Sequence, residues 1–235
     1  MNRRTLVTGG TRGIGAAIAQ TLVEAGYEVL VTGTSADDGR APRGCAYQGC
    51  DFSKPGSLEA FANDLATREV EILVNNAGIN KVGPLDQYDL KDFAKVQQVN
   101  VTAPFVLCRA VIPGMRRRKF GRIVNIASIF SLVSKAGRLA YSTSKFGVFG
   151  LTRALALEVA ADNVLVNCLS PGFVETEMTR RTLGEHGVKE IVPRIPLGRL
   201  AQPQEIARYV RFLVSEDNTY MTGQNIVVDG GFTCG

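Results

Sequence analysis

With 235 residues, 45% of them hydrophobic, the chain can bury a sizeable core, and it has no internal repeat, low-complexity tract or Pro/Gly/Ser-rich linker to mark a second domain, so one domain over 1–235 is expected. Five cysteines without C-x-x-C spacing read as reduced thiols, and a single histidine, His186, speaks against a metal site. The net charge of +5 is dispersed apart from Arg116-Arg-Arg-Lys119, which reads as a solvated helix end, and no apolar run approaches the roughly eighteen residues of a membrane span, so a cytoplasmic protein binding neither nucleic acid nor membrane is expected.

The first apolar run, at 4–8, reads as a strand and leads into Thr8-Gly9-Gly10-Thr11-Arg12-Gly13-Ile14-Gly15, which opens a helical pattern. Gly9 permits a tight turn, Gly13 lets backbone approach a pyrophosphate, and Gly15 allows close helix packing. The helix N-terminus adds N–H donors and the positive end of its dipole. This is the chemistry of dinucleotide binding.

A second strand, at 28–33, ends in Val29-Leu-Val-Thr-Gly-Thr34-Ser35. An acidic side chain at its end would accept from a free ribose 2′-hydroxyl, and that position falls on Thr34. Arg12 can instead pair with a 2′-phosphate, which the hydroxyls of Thr34 and Ser35 bond without repulsion, so NADP(H) is favoured. Asp37 and Asp38 follow closely, and a longer strand would put one of them in place and make NAD(H) possible.

The third strand, at 45–50, runs into Asp51-Phe52, where Asp51 is either a cofactor contact or a helix N-cap. The fourth, at 71–75, ends in Asn75-Asn76-Ala77-Gly78, whose small residues let the backbone pass close to a ligand, while Asn75 more naturally bonds neighbouring strands. A helical segment near 89–115 carries Gln98-Val-Asn100-Val-Thr102.

The fifth strand, at 122–126, leads to Ser128, thirteen residues before the tyrosine of Tyr141-Ser-Thr-Ser-Lys145. Positions four apart share a helix face, so an ammonium at Lys145 beside the Tyr141 phenol would favour its ionised form and make it a proton donor near neutral pH. Ser128 alone reads equally as a cap, and its spacing to Tyr141 decides for catalysis.

The helical segments near 89–115 and 141–160 are apolar on more than one face, which predicts a homodimer or homotetramer. A sixth strand at 164–169 precedes Pro171-Gly172-Phe-Val174-Glu-Thr176. The stretch 172–202, rich in charge, Gly and Pro, reads as an irregular substrate lid, followed by a helix near Pro203 and a seventh strand at 224–228. Short strands alternating with crossover-length segments predict an α/β Rossmann fold, a doubly wound parallel sheet of order 3-2-1-4-5-6-7.

Thr8-Gly-x-x-x-Gly13-Ile-Gly15, Asn75-Asn-Ala-Gly78, Asn100, Ser128, Tyr141-x-x-x-Lys145 and Pro171-Gly172 together resemble the short-chain dehydrogenase/reductase family over essentially the whole chain. The resemblance implies that Tyr141 protonates a carbonyl oxygen as hydride arrives, with Ser128 as its hydrogen-bonding partner, and that Lys145 lowers the tyrosine pKa and binds ribose. It gives Asn100 a water that links the acid to solvent; a kink or capping role is the alternative. By the same resemblance Asp51 and Phe52 contact adenine, Asn76, Ala77 and Gly78 lie along adenosine ribose, and Pro171, Gly172, Val174 and Thr176 hold the nicotinamide carboxamide.

Within the family, Pro171–Thr179 and the ending Asn225-Ile-Val-Val-Asp-Gly-Gly231 look most like bacterial 3-oxoacyl-[acyl-carrier-protein] reductases of fatty acid synthesis. That implies a 3-oxoacyl thioester substrate and an acyl carrier protein as partner. Lys119 matches a basic carrier-docking position, whereas Asp162 falls where a second arginine is common. A sugar, polyol or other secondary-alcohol dehydrogenase is the alternative, and a non-catalytic NADP(H)-sensing regulator a more distant one.

Overall fold

Buried β-branched runs, lacking the polar alternation of a half-exposed sheet, belong in a parallel sheet covered on both faces. A computed structural model, which describes residues 3–36 and 40–234, has this arrangement. Seven strands run parallel in the order β3-β2-β1-β4-β5-β6-β7: β1 (Arg4–Val7), β2 (Glu28–Gly33), β3 (Ala46–Gly49), β4 (Ile72–Asn75), β5 (Gly121–Ile126), β6 (Val164–Pro171) and β7 (Asn225–Val228). Every residue of β4, β5 and β6 is buried.

Successive side chains on a strand point to opposite faces, and the core divides accordingly. On β1, Leu6 packs with Leu58, Phe61 and Leu65 of α2 (Pro55–Leu65) and with Leu107, Val111 and Met115 of α4 (Ala103–Arg118). Its neighbour Val7 packs on the other face with Ile18 and Leu22 of α1 (Gly13–Glu24) and with Ile206, Val210 and Leu213 of α7 (Pro203–Val214). Ile18 and Leu22 are fully buried, each contributing about 1.5–3 kcal/mol of apolar transfer.

Between α3 (Leu90–Gln97) and α4 lies a π-helical turn, Gln98–Thr102, so the helical segment expected at 89–115 is two helices joined by an irregular turn and runs on to Arg118. Pro104, the second residue of α4, has no N–H, so the Asn100 carbonyl four residues earlier lacks its ordinary α-helical donor. The 21-residue helix α5 (Leu139–Val159) lies against β6.

The stretch 172–202 differs from the expected irregular segment. Its middle is α6 (Glu177–Ile191), bent at Gly184, whose φ of 64° lies outside the helical region. Gly184 and Gly187 read as breakers in the sequence, but the helix resumes past them because Leu183, Val188 and Ile191 share a small apolar cluster with Ile195, Leu200 and Phe173. The base of this excursion is stitched by hydrogen bonds from Glu175 N to Ala201 O (2.8 Å) and Ala201 N to Phe173 O (2.9 Å).

Among the described residues no helix is long and apolar enough to cross a membrane, and the five cysteines are free thiols.

Candidate active site

In an open parallel sheet, chain connections diverge in opposite directions on either side of one point, leaving a crevice at the carboxyl ends of the strands. Here that point lies between β1 and β4, and a cavity of about 480 Å³ opens there. The loops after β1, β2, β3, β4, β5 and β6 all reach it.

At its floor, Gly9 and Gly13 turn the glycine loop with φ of 62° and 54°. At Gly15 a β-carbon would run into the Gly9 carbonyl and the Asn76 side-chain amide, so only glycine lets α1 start this close to β1 and β4. The loop is braced from below. Thr8 Oγ1 accepts from the backbone N–H groups of Asn76 and Ala77 (both 3.0 Å), and Asn76 Nδ2 donates to the carbonyls of Thr8 (2.9 Å) and Gly9 (3.1 Å). The Asn76 side chain is thereby fixed against the glycine loop, and Asn76, Ala77 and Gly78 all line the cavity.

Toward the β2 end the strand stops at Gly33, which places Thr34 first beyond it, as expected, and Thr34 lines the cavity with Thr11, Arg12, Gly13 and Ile14. Ser35 does not line it; its carbonyl accepts the Tyr47 hydroxyl at 2.6 Å. Asp37 and Asp38 lie outside the described residues. Arg12 is solvent-exposed, and its guanidinium stands 3.2 Å from the Glu177 carboxylate at the start of α6. Arg40, which the sequence reading passed over, also lines this end; a cation a few residues past the second strand was the available signal.

Asp51 and Phe52 form another wall. Asp51 Oδ1 accepts from Ser53 N (3.0 Å) and Ser53 Oγ (2.7 Å), which holds its carboxyl below the usual range, while α2 itself starts from Lys54 as N-cap. The carboxylate therefore organises the turn before α2 and faces the cavity as well. Asn75 stays within the sheet, donating to Asn125 Oδ1 of β5 at 2.8 Å.

At the other end, Ser128, Tyr141 and Lys145 meet on one wall. Ser128 follows β5 in extended backbone and caps a short 3₁₀ turn, accepting from Phe130 N at 3.3 Å, so the capping reading holds. It also stands near enough to the Tyr141 phenol to draw its pKa downward.

Lys145 Nζ donates to the Ile126 carbonyl at 2.8 Å and lies 5.5 Å from the Tyr141 ring centre. Burial pushes its pKa down to about 8, opposed by the neighbouring Cys168, whose thiol burial raises to about 12. The phenol does not follow the sequence expectation. Burial is the largest influence on Tyr141 and raises its pKa, while the nearby Ser128 hydroxyl and the charge of Arg138 pull the other way. Lys145 fails to dominate because its ammonium is bonded to a carbonyl and is itself desolvated.

Asn100 ties this wall to the π turn. Its Oδ1 accepts from Ile79 N, and its Nδ2 donates to Ile79 O and to Ser144 Oγ, all at 2.9 Å. Ser144 Oγ in turn donates to the Tyr141 carbonyl at 2.7 Å, and Gln97 Nε2 to the Ala140 carbonyl at 3.0 Å. The first turn of α5, which carries Tyr141, is held by side chains from the π turn and its approach.

The roof is Pro171, Gly172, Val174 and Thr176, with Glu177 and Met178 of α6 beside them. Val174 bridges to Ala201, and Thr176 caps α6, accepting from Thr179 N at 3.2 Å. Glu177 was not anticipated, and only its position just past the Pro171–Thr176 motif pointed to it.

A family model described as enoyl-(acyl carrier protein) reductase matches residues 9–233. The chain is 36% identical to the 3-oxoacyl-[acyl-carrier-protein] reductase of Chlamydia pneumoniae, over 99% of this chain and 98% of that one. It is 41% identical to the acetoacetyl-CoA reductase of Shinella zoogloeoides, over 98% of each. Among solved structures, a Beutenbergia cavernae protein provisionally described as an NAD(P)-dependent gluconate 5-dehydrogenase, with bound NADP at low occupancy, superposes with a TM-score of 0.92 at 38% identity, over 99% of this chain and 97% of that one.

Proposed function

The chain belongs to the short-chain dehydrogenase/reductase family, an oxidoreductase acting on carbonyl or CH–OH groups, and on that premise we propose that it is an NADPH-dependent reductase of 3-oxoacyl compounds, with a 3-oxoacyl thioester as substrate. The observation that carries the reading is the meeting of Ser128, Tyr141 and Lys145 on the wall of the cavity whose floor is the glycine loop.

In this reading the glycine loop and the N-terminus of α1 would hold the pyrophosphate of a dinucleotide, and Asp51 and Phe52 its adenine. Arg12 and Thr34 take the 2′-phosphate. Pro171, Gly172, Val174 and Thr176 hold the nicotinamide carboxamide, and the cofactor supplies the hydride.

Tyr141 donates a proton to the substrate's carbonyl oxygen, and Ser128 hydrogen-bonds that oxygen. A phenol kept neutral by burial is already in the form that a proton donor needs. Lys145 binds ribose hydroxyls and offers charge to the phenolate left after transfer. A water on the Asn100 carbonyl passes a replacement proton from solvent.

The relatives named for 3-oxoacyl-[acyl-carrier-protein] and acetoacetyl-CoA reduction favour the thioester. One observation favours the second reading, a sugar-acid or secondary-alcohol dehydrogenase. Lys119 Nζ and Arg116 Nε lie 2.5 and 3.1 Å from the two oxygens of Asp162, so the Lys119 ammonium expected to receive an acidic carrier is already ion-paired within the chain. Exposed Phe105 on α4 with Phe146 and Leu157 on α5 support pairing through these helices, as a homodimer or homotetramer.

The test is a comparison of acetoacetyl-CoA, an acetoacetylated carrier protein and gluconate under both cofactors. NADPH-dependent reduction of either thioester supports the first reading; oxidation of gluconate alone replaces it with the second.

A further inference from the structure

We propose that Arg138 is an anion-binding residue of the substrate site, taking the carboxylate of a small keto or hydroxy acid whose reacting carbon lies at Tyr141. Arg138 is the N-cap residue of α5, three positions before Tyr141 and so on the same helix face. It is only 5% exposed. Its guanidinium carbon lies 5.7 Å from the Phe130 ring centre, and Phe130 meets the Tyr141 ring edge-on at 6.0 Å, so arginine, phenylalanine and tyrosine form one cluster beside Ser128.

Among the described residues this guanidinium has no ion-pair partner and makes no side-chain hydrogen bond, and its Nε is shielded from solvent without an acceptor. Arg122 shows what a structural buried arginine looks like in this fold. Equally buried, it stacks on Phe120 at 4.4 Å and gives its terminal nitrogens to the carbonyls of Gly121, Asn163 and Asn218. The Nε of Arg122 is shielded and unpartnered too, so the difference lies in the terminal nitrogens, for which Arg138 has no such carbonyls among the described residues.

A cation held in a dry place without a counter-charge is costly, and the cost persists where a visiting anion supplies the partner. A guanidinium is a planar fork of donors that matches the two oxygens of a carboxylate. Placed one helical turn from the proton donor, it would bind the acid end of a substrate and leave a carbonyl a few bonds away at Tyr141. This rests on the reading of Tyr141 as the proton donor, and of the two substrate readings it sides with the second, a small hydroxy or keto acid, against the thioester.

The experiment compares acetoacetate with methyl acetoacetate for the wild type, Arg138→Met, Arg138→Gln and Arg138→Lys, following NADPH oxidation, and titrates 3-hydroxybutyrate and gluconate into each protein saturated with NADP⁺. The expected result is a wild-type preference for the acid that Met and Gln erase, with KM for the acid rising ten- to a hundred-fold, a several-fold smaller effect on the ester, and partial retention of the preference in Lys. Carboxylate binding should be lost in parallel.

Equal losses for acid and ester, alone or with dissociation of an oligomer, would overturn the proposal and make Arg138 structural, paired with a second copy. Absence of carboxylate binding to the NADP⁺ complex would overturn it as well, whatever the turnover. Carboxylate binding that depends on Arg138, without reduction of any 3-oxo substrate, would uphold this inference and count against the reductase reading alone.

Discussion

Arg12, in the glycine loop after β1, and Glu177, at the start of α6, face each other across the cavity mouth with 3.2 Å between guanidinium and carboxylate. Both side chains are mostly exposed, so the pair itself adds little to stability. Its consequence lies in binding. The residue proposed to take a 2′-phosphate is held by a carboxylate from the segment that roofs the site.

Replacing Arg12 with alanine should weaken NADPH binding by about 1.5–3 kcal/mol, the scale of a hydrogen bond to a charged group, with little effect on NADH. Glu177→Gln should act in the opposite sense and tighten NADPH by releasing Arg12. Fluorescence titration of each variant with both cofactors checks this, and equal losses for NADPH and NADH in Arg12→Ala would contradict the phosphate role.

Gly15→Ala places a methyl group against the Gly9 carbonyl oxygen, a backbone atom that cannot swing aside. Overpacking of this kind costs roughly 1–3 kcal/mol. Urea denaturation should show that loss, and cofactor titration should show weaker binding because the loop must shift.

Lys145 gives a pH dependence of defined sign. In the unfolded chain its amine holds a proton up to about 10.5, whereas burial lowers the folded value to about 8. Between these pH values the unfolded state binds more protons, so stability contributed by this group rises as pH rises from 8 toward 10.5 and is at its lowest, and constant, below 8. Relative to Lys145→Met, the wild type should gain up to about 3 kcal/mol over that window, an upper bound from a shift of this size. Denaturation of both proteins at pH 7.5 and pH 10 measures the difference.

Asp162 sets the expectation for a carrier protein. Asp162→Ala frees Lys119 and Arg116, so KM for an acylated carrier should fall several-fold at low salt, while KM for acetoacetyl-CoA stays where it was. Steady-state kinetics at two ionic strengths decides, and no change with either substrate would remove this surface from carrier docking.

Six strands were legible as short runs with β-branched residues bounded by turn residues, whereas β3, Ala-Tyr-Gln-Gly, has none and showed only as a short segment between turns; their ends moved, β6 by reaching Pro171. Gly9, Gly13 and Gly15 were legible because their spacing follows from one steric problem, a helix starting close against a strand. What the sequence hid depends on distant partners. The bend and continuation of α6 at Gly184 rest on apolar contacts with Phe173 and Leu200, and Ser35 turns from the cavity toward Tyr47 of the adjacent strand. The upward push on Tyr141 is a matter of desolvation, which a four-residue spacing to Lys145 does not report. Arg138 drew no notice for the same reason: its burial without a partner exists only in the folded chain.

The central claim is that Tyr141 delivers the proton for an NADPH-dependent carbonyl reduction. The most direct measurement follows NADPH oxidation with acetoacetyl-CoA for the wild type and Tyr141→Phe, with NADPH affinity measured on both. The account predicts wild-type turnover and a loss of about 10²–10⁴-fold or more in the phenylalanine variant at nearly the same cofactor affinity, the scale of general acid catalysis. Turnover by Tyr141→Phe at the wild-type rate would contradict it.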